Sequence, residues 1–260
     1  MTKTTQGDSD QYRERKSFFK QLLTIYGRKP VLEALQDPQL AIYKIHLADS
    51  NKVQGIIKEI ATAAENRGID IEYHDKKSLS RISKNGKQDQ GVAADIKLRQ
   101  NLSVSDYIRQ QGIQQQRFMV LDRITNPQNL GMIIRSVTAG NIDGLVIPEK
   151  GCASLSPLVV KASTGTLFRA PLLHCSSLTD GLKELQQHGV SVCTLSSHAK
   201  ESLFDYRATG AMAYVLGNET EGVSKEVAAC SDIALKIPMN NEVESLNVAI
   251  TAALIAFLNK

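Results

Sequence analysis

A chain of 260 residues with 42% apolar and 22% charged residues can bury a sizeable core and has the composition of a soluble globular protein. Its longest apolar run, Val248 to Leu258, is too short to span a bilayer and contains Thr251, and its polar first residues lack the apolar stretch of a secretory signal. Cys152, Cys175, Cys193 and Cys230 lie far apart, with no C-x-x-C pair and no His at ligand spacing, so neither a zinc site nor a disulfide framework is expected and a reducing cytoplasm suits the chain best.

Residues 1–10 are polar and expected to be disordered, and Gln11 to Tyr26 places Phe18, Phe19, Leu22 and Leu23 at helical spacing. Residues 1–25 therefore read as a tail and helix. A short helix over Gly27 to Leu35 follows, then a strand over Ile42 to Leu47, an amphipathic helix over Val53 to Glu65 and a strand over Ile69 to Tyr73. Lys76 to Ile82 can be helical, and Val92 to Ile96 reads as a third strand. This alternation defines a small α/β domain over residues 26–98. The Gln-rich stretch that follows, residues 99–116, reads as a linker with at most one short helix around Val104 to Arg109.

A second α/β domain is expected over residues 117–260. Its strands are Phe118 to Leu121, Gly144 to Ile147, Ser191 to Leu195, Ala213 to Leu216 and Ile233 to Ile237. Its helices are Pro127 to Ala139, opened by Asn126 and closed by Gly140, Pro157 to Ala162 after Ser156, Leu178 to Gln187, Ser224 to Ala229 and Leu246 to Leu258, the last capped by Ser245. Strand and helix alternate throughout, which implies a parallel sheet covered on both faces. Charge is shared unevenly: residues 1–110 carry 19 Lys and Arg against 14 Asp and Glu, residues 111–260 carry 12 against 13. A basic first domain suits a polyanionic partner, and it suits a solvated surface equally well.

Three stretches carry the chemistry. Ile237-Pro-Met-Asn-Asn-Glu-Val-Glu-Ser-Leu-Asn-Val-Ala249 runs from a strand stopped by Pro238 through exposed amides into a helix, the kind of junction at which open α/β sheets bind ligands. In Asp122 to Arg135, Leu130, Ile133 and Ile134 form one helix face, and Asn129 must act from the first turn or just before it. Gly131 inside that turn costs helix stability, which implies close approach of a backbone or a ligand. Arg135 by itself suits a surface or interface salt bridge. Leu216-Gly-Asn-Glu-Thr-Glu-Gly-Val-Ser224 follows a buried strand, and Gly217 and Gly222 permit turns that leave backbone groups open to a ligand. It matches neither a Walker A loop nor G-x-G-x-x-G, and Glu219 and Glu221 two apart do not make a metal pair, so no metal is assigned.

Together, Asn126-Pro-x-Asn-x-Gly with Arg135, Leu216-Gly-Asn-Glu-x-x-Gly, and Ile237-Pro-Met with Glu244-Ser-Leu-Asn-Val-Ala resemble the three motifs of the SpoU (TrmH-type) RNA ribose 2′-O-methyltransferases of the SPOUT superfamily. Tyr26-Gly27, Val31 to Leu35 and Gln90-Gly91-Val92-Ala93 are similar to the small ribosomal-protein-like substrate-binding domain that precedes the catalytic domain in many members. The resemblance implies a deep C-terminal trefoil knot, an exception to the usual absence of knots, and a homodimer formed through the C-terminal domain. It implies S-adenosyl-L-methionine held by Thr194, Leu195, Ser196, Leu216, Gly217, Asn218, Gly222, Ile237, Met239, Ser245, Leu246 and Asn247. Arg135 and Asn129 carry over as catalytic residues, with Glu219, Ser245 and Asn247 in support.

The implied reaction is 2′-O-methylation of a ribose in structured RNA, first a guanosine of large-subunit rRNA and second tRNA. Met132 after Gly131, where a small residue is common, and Ser136-Val-Thr138 in place of a more alanine-rich run depart mildly from the family pattern. Two alternatives stay open, a non-catalytic RNA-binding member and a nucleotide-dependent enzyme on an ordinary doubly wound sheet. Titration with S-adenosylmethionine and with ATP separates them.

Overall fold

The structure, a computed structural model, describes residues 18, 19 and 21–258 and divides into two compact units between Leu98 and Arg99. The readings for residues 1–17 lie outside the described residues. Among those described, no helix is long and apolar enough to cross a membrane.

The first unit contains β1 (Leu22–Tyr26), α1 (Arg28–Gln36), β2 (Ala41–Ala48), α2 (Ile56–Asn66), β3 (Ile71–His74), α3 (Lys76–Ser83) and β4 (Val92–Lys97). Its sheet has the order β1-β4-β2-β3, with β2 and β3 parallel and the other two pairs antiparallel. Period-two burial explains β1, where a helix was expected. Leu23 and Ile25 are buried while Thr24 and Tyr26 are partly open, and the strand pairs with β4 along its whole length. Local spacing could not decide between the two periods, and the partner strand does.

The two sheet faces differ in chemistry. Ile25, Ile45, Leu47 and Ile96 are buried on one face. On the other, Leu79 and Ile82 of α3 pack on Tyr26, Ala48 and Ala93, and Thr24, His46 and Asp95 lie beyond them. At the end of α1 the guanidinium of Arg67 donates to the carbonyls of Leu35 (2.9 Å), Asp37 (3.1 Å) and Leu40 (2.6 Å), satisfying acceptors that a helix leaves open at its carboxyl end.

The second unit starts earlier than expected. In place of a linker, β5 (Gln100–Ser103) pairs with β8 (Pro171–Cys175), a strand not foreseen, and α4 (Val104–Gln111) buries Val104, Tyr107 and Ile108. Ser103 caps α4 by accepting from the Asp106 amide at 3.0 Å. The short helix expected around Val104 to Arg109 is α4, while the strand before it was not foreseen. The remaining elements are β6 (Arg117–Leu121), α5 (Pro127–Ala139), β7 (Gly144–Pro148), α6 (Pro157–Ala162), a 3-10 turn (Thr166–Arg169), α7 (Leu178–Gln187), β9 (Ser191–Leu195), β10 (Glu201–Ser202), β11 (Met212–Leu216), α8 (Lys225–Ala228), β12 (Ile233–Lys236) and α9 (Val248–Ala256).

All eight strands of this sheet are parallel, in the order β10-β12-β9-β11-β6-β7-β8-β5. Both faces are covered, as expected. Phe118, Val120, Val192 and Val215 share a core with Tyr107, Leu182 and Leu185 of α4 and α7, while α9 packs on α5 and also contacts β11. Gly140, the cap after α5, lets the chain lie close against the end of α9, since a Cβ there would lie 2.5 Å from the Ala256 carbonyl oxygen. After β8 the chain crosses back to β9, and β11 later fills the slot between β9 and β6. Such a change of direction in strand order opens a crevice at the carboxyl ends of the strands.

Candidate active site

The carboxyl ends of four neighbouring strands, β12, β9, β11 and β6, carry the loops singled out from sequence. Thr194 and Leu195 end β9 and Ser196 follows, Leu216 ends β11 with Gly217 and Asn218 next, and Ile237 and Met239 follow β12. The Thr194 hydroxyl is buried and lies 2.8 Å from Ser231 Oγ. Ser245 and Leu246 lead into α9, whose cap is Asn247 rather than the expected Ser245: Asn247 Oδ1 accepts from the Ala249 amide at 2.8 Å.

The loop after β11 is a tight turn closed on itself. Asn218 and Gly222 exchange backbone hydrogen bonds of 3.0 and 2.9 Å, and Asn218 Oδ1 accepts from the amides of Thr220 and Glu221. Asn218 and Gly222 thus shape the loop with the groups expected to face a ligand. Gly217 can be nothing larger, because a Cβ would lie 2.2 Å from the Gly222 carbonyl carbon.

Arg123, to which sequence reasoning gave no role, braces this loop. Its guanidinium pairs with Glu221 and donates to the Gly222 carbonyl at 3.2 Å, while its own carbonyl accepts from Asn218 Nδ2 at 3.2 Å. Arg123 is held at φ 59°, a conformation costly for a side-chain-bearing residue. Its neighbour Asp122 accepts from the Ser224 amide at 2.6 Å. No sequence signal beyond adjacency to Asp122 could have shown this, since Glu221 is 98 positions away.

Asn129, Glu219 and Asn247, one from each of the three stretches, form a single hydrogen-bonded chain. Asn247 Nδ2 donates to Asn129 Oδ1 at 3.2 Å, and Asn129 Nδ2 donates to the Glu219 carboxylate. The directions are dictated: Asn247 Oδ1 is committed to its helix cap, so its amide nitrogen faces Asn129, whose own nitrogen must then face the carboxylate. Asn129 is 6% exposed and sits in the first turn of α5, opened by Asn126, whose side chain accepts from the Gln128 amide at 2.8 Å. Gly131 allows the close backbone approach expected there, since a Cβ would lie 2.8 Å from the Val159 carbonyl oxygen of α6.

Arg135 and Ser245 are not part of this chain. Arg135 lies six residues further along α5, about 9 Å along the axis. It is exposed and has no hydrogen-bonding or ionic partner among the described residues. Burial pushes the Cys193 thiol up to about 12 and the Cys175 thiol up to about 11, so neither competes as nucleophile. A cavity of about 900 Å³ lies elsewhere, at the amino ends of β6 and β11 against α9, and takes in none of the residues above.

A parallel α/β sheet whose strand order reverses beside polar, glycine-bearing turns at the carboxyl ends of its strands has the plan of a ligand-binding α/β protein, and it lacks the glycine fingerprints of nucleoside triphosphate or dinucleotide sites. Comparison with known proteins gives the family. Residues 116–257 match the SpoU rRNA methylase family, and residues 24–102 match the RNA 2′-O ribose methyltransferase substrate-binding domain. Among relatives, a Bacillus subtilis (strain 168) protein provisionally named as the TrmH family tRNA/rRNA methyltransferase YacO is 29% identical, covering 90% of this chain and 93% of its own. A provisionally named TrmH family tRNA/rRNA methyltransferase of Staphylococcus saprophyticus is 31% identical over 90% of this chain and 94% of its own.

Among solved structures, an RNA methyltransferase of the TrmH family from Porphyromonas gingivalis, also provisionally named, superposes with a TM-score of 0.63 at 25% identity, covering 95% of this chain and 91% of that one. The SpoU methyltransferase AviRb of Streptomyces viridochromogenes, in complex with AdoMet, has a TM-score of 0.64 at 21% identity, covering 96% and 92%. This chain belongs to the SpoU methylase family and is an RNA methyltransferase.

Proposed function

We propose that the chain transfers a methyl group from S-adenosyl-L-methionine to a ribose 2′-hydroxyl of structured RNA, with a guanosine of large-subunit rRNA the first candidate and tRNA the second. The observation that carries this reading is the convergence of Asn129, Glu219 and Asn247 beside backbone turns at the carboxyl ends of β9, β11 and β12. These turns offer main-chain groups and few cations, a donor set that fits a nucleoside joined to an amino acid better than a polyphosphate. In this reading Thr194 to Ser196, Leu216, Gly217, Ile237, Met239 and Leu246 hold the methyl donor, and Asn218 and Gly222 keep their turn in shape. The match of residues 24–102 to a 2′-O ribose methyltransferase substrate-binding domain supports the ribose target. The chain end after β12 threads a loop to form the family's knot, and the site is read as cytoplasmic.

When bound, the donor supplies an electrophilic methyl on a sulfonium. The chain's own residues position the acceptor. Arg135 clamps an RNA phosphate and stabilises negative charge developing on the 2′-oxygen; as a guanidinium it keeps its proton and does not serve as base. The Asn247–Asn129–Glu219 chain fixes the entrance of α5 against the α9 junction, and alignment of the reacting atoms supplies the bulk of the acceleration.

Because Arg135 stands apart from this chain, we read the site as completed across a homodimer. Met132, Ile250 and Phe257, which are 41%, 53% and 58% exposed on the adjoining helices α5 and α9 and the residue after α9, supply an apolar face for it. Calorimetric titration with S-adenosylmethionine and with ATP, together with mapping of 2′-O-methyl marks lost on deletion of the gene, tests the reading. Binding of the methyl donor and loss of one mark are expected. Binding of ATP alone, or a lost base methylation in place of a ribose mark, overturns it.

A further inference from the structure

Beyond the residues on which α3 packs, the first unit's sheet carries a largely buried polar chain that methyl transfer does not use. Thr24 Oγ1 on β1 donates to Asp95 Oδ1 on β4 at 2.6 Å. Asp95 Oδ2 lies 3.1 Å from His46 Nε2 on β2, and His46 Nδ1 lies 2.9 Å from His74 Nε2 on β3. Ligand atoms of His46, Glu72 and His74 all fall within 4.8 Å of one another. Glu72 is half exposed and is engaged by Lys44 Nζ at 2.8 Å.

We propose that His46 Nδ1, His74 Nε2 and the Glu72 carboxylate form a binding site for a divalent transition cation of the zinc class. The donor set is right for it, two imidazoles and a carboxylate, with a further coordination position left to solvent. The surroundings are right as well. Asp95 accepts the proton of His46 Nε2, which leaves the Nδ1 lone pair aimed at His74, and Thr24 in turn holds Asp95. A carboxylate backing a ligating histidine in this way sets the tautomer and raises the basicity of the ligating nitrogen. The 2.9 Å between the two nitrogens is shorter than a tetrahedral cation requires. With bonds of about 2.0–2.1 Å the nitrogens would stand about 3.4 Å apart, so the rings part by about half an ångström. His74 is on the edge strand and partly open, and can make that shift.

The cation would replace the proton shared by the two rings and displace Lys44 from Glu72, tying edge strand β3 to β2. Lys44 is therefore a competitor for the site.

The test is titration of the full chain, stripped with chelator, with Co²⁺ followed by visible absorption, and then displacement of Co²⁺ by Zn²⁺. One equivalent with nitrogen and oxygen ligation is expected, together with a zinc-dependent rise in Tm. Glu72→Gln and His74→Ala should each weaken binding at least tenfold and abolish the rise, and Lys44→Met should tighten binding several-fold. Glu72 and Lys44 are exposed enough that their variants keep the fold, which circular dichroism checks. Absence of a cobalt band, equal affinity in wild type and Glu72→Gln, or sulfur-to-cobalt charge transfer pointing to the cysteines would each overturn the proposal.

Discussion

Arg135 and Asn129 lie on one helix yet have different surroundings, and so removing them should have different consequences. Arg135 is exposed and its side chain makes no hydrogen bond or ion pair among the described residues, so Arg135→Ala should abolish methyl transfer while the affinity for S-adenosylmethionine, read by calorimetry, stays within a few-fold. Loss of both together would mean that the helix itself had been disturbed. Asn129→Ala removes the partner shared by the Asn247 amide and the Glu219 carboxylate, which are exposed and turn to water, so the cost is that of the lost hydrogen bonds, about 0.5–1.5 kcal/mol each. That variant should lose both stability and rate. Asp95 offers a pH readout. Burial alone would raise its carboxyl, but hydrogen bonds from His46 and Thr24 outweigh this and hold it below its ordinary value. A depressed folded-state value stabilises above the unfolded value and fades as pH falls through the folded one. The Tm advantage of wild type over Asp95→Asn should therefore be full near neutrality and shrink in acid; a gap independent of pH would contradict the assignment.

Among the elements, the loop after β11 is the most constrained. Gly217→Ala would drive a Cβ into the Gly222–Val223 peptide group, which is backbone and not a flexible side chain that could yield, and cofactor uptake should be lost while far-UV circular dichroism persists. Asn126→Ala removes the α5 cap and should cost about 1 kcal/mol by denaturant unfolding. Legibility differed between elements for a physical reason. The helices Pro127–Ala139, Pro157–Ala162 and Leu178–Gln187 carry their own start and stop signals, and strand β9 is a short apolar run between polar turns, so local pattern sufficed. β1 and β5 are held by pairing with β4 and β8, contacts distant in sequence, and β5 lies in a Gln-rich stretch that carries no pattern of its own.

For the whole molecule, the division between Leu98 and Arg99 puts the substrate-binding match and the methylase match largely in separate units. Residues 99–260 alone should take up the methyl donor and bind RNA poorly, and unchanged RNA affinity would refute the division of labour. The homodimer reading has a direct check. Co-refolded Arg135→Ala and Asn129→Ala chains should recover part of the activity that neither has alone, because a site drawing Asn129 from one copy and Arg135 from the other is intact. No recovery would place both residues in one subunit's site.

The sequence by itself determined the alternating α/β plan, the three motifs and the family they indicate, because apolar periodicity, caps and glycine-bearing turns are written in neighbouring residues. It also named Asn129, Glu219 and Asn247 through resemblance. Only the tertiary structure decided that those three meet in one hydrogen-bonded chain, that Arg135 stays outside it, and that Arg123 braces the loop 98 positions away. It alone brought His46 beside His74, 28 positions apart, by pairing β2 with β3. Contacts of that separation depend on strand order and on which way each side chain leaves the sheet, and neither is encoded in any single stretch of chain.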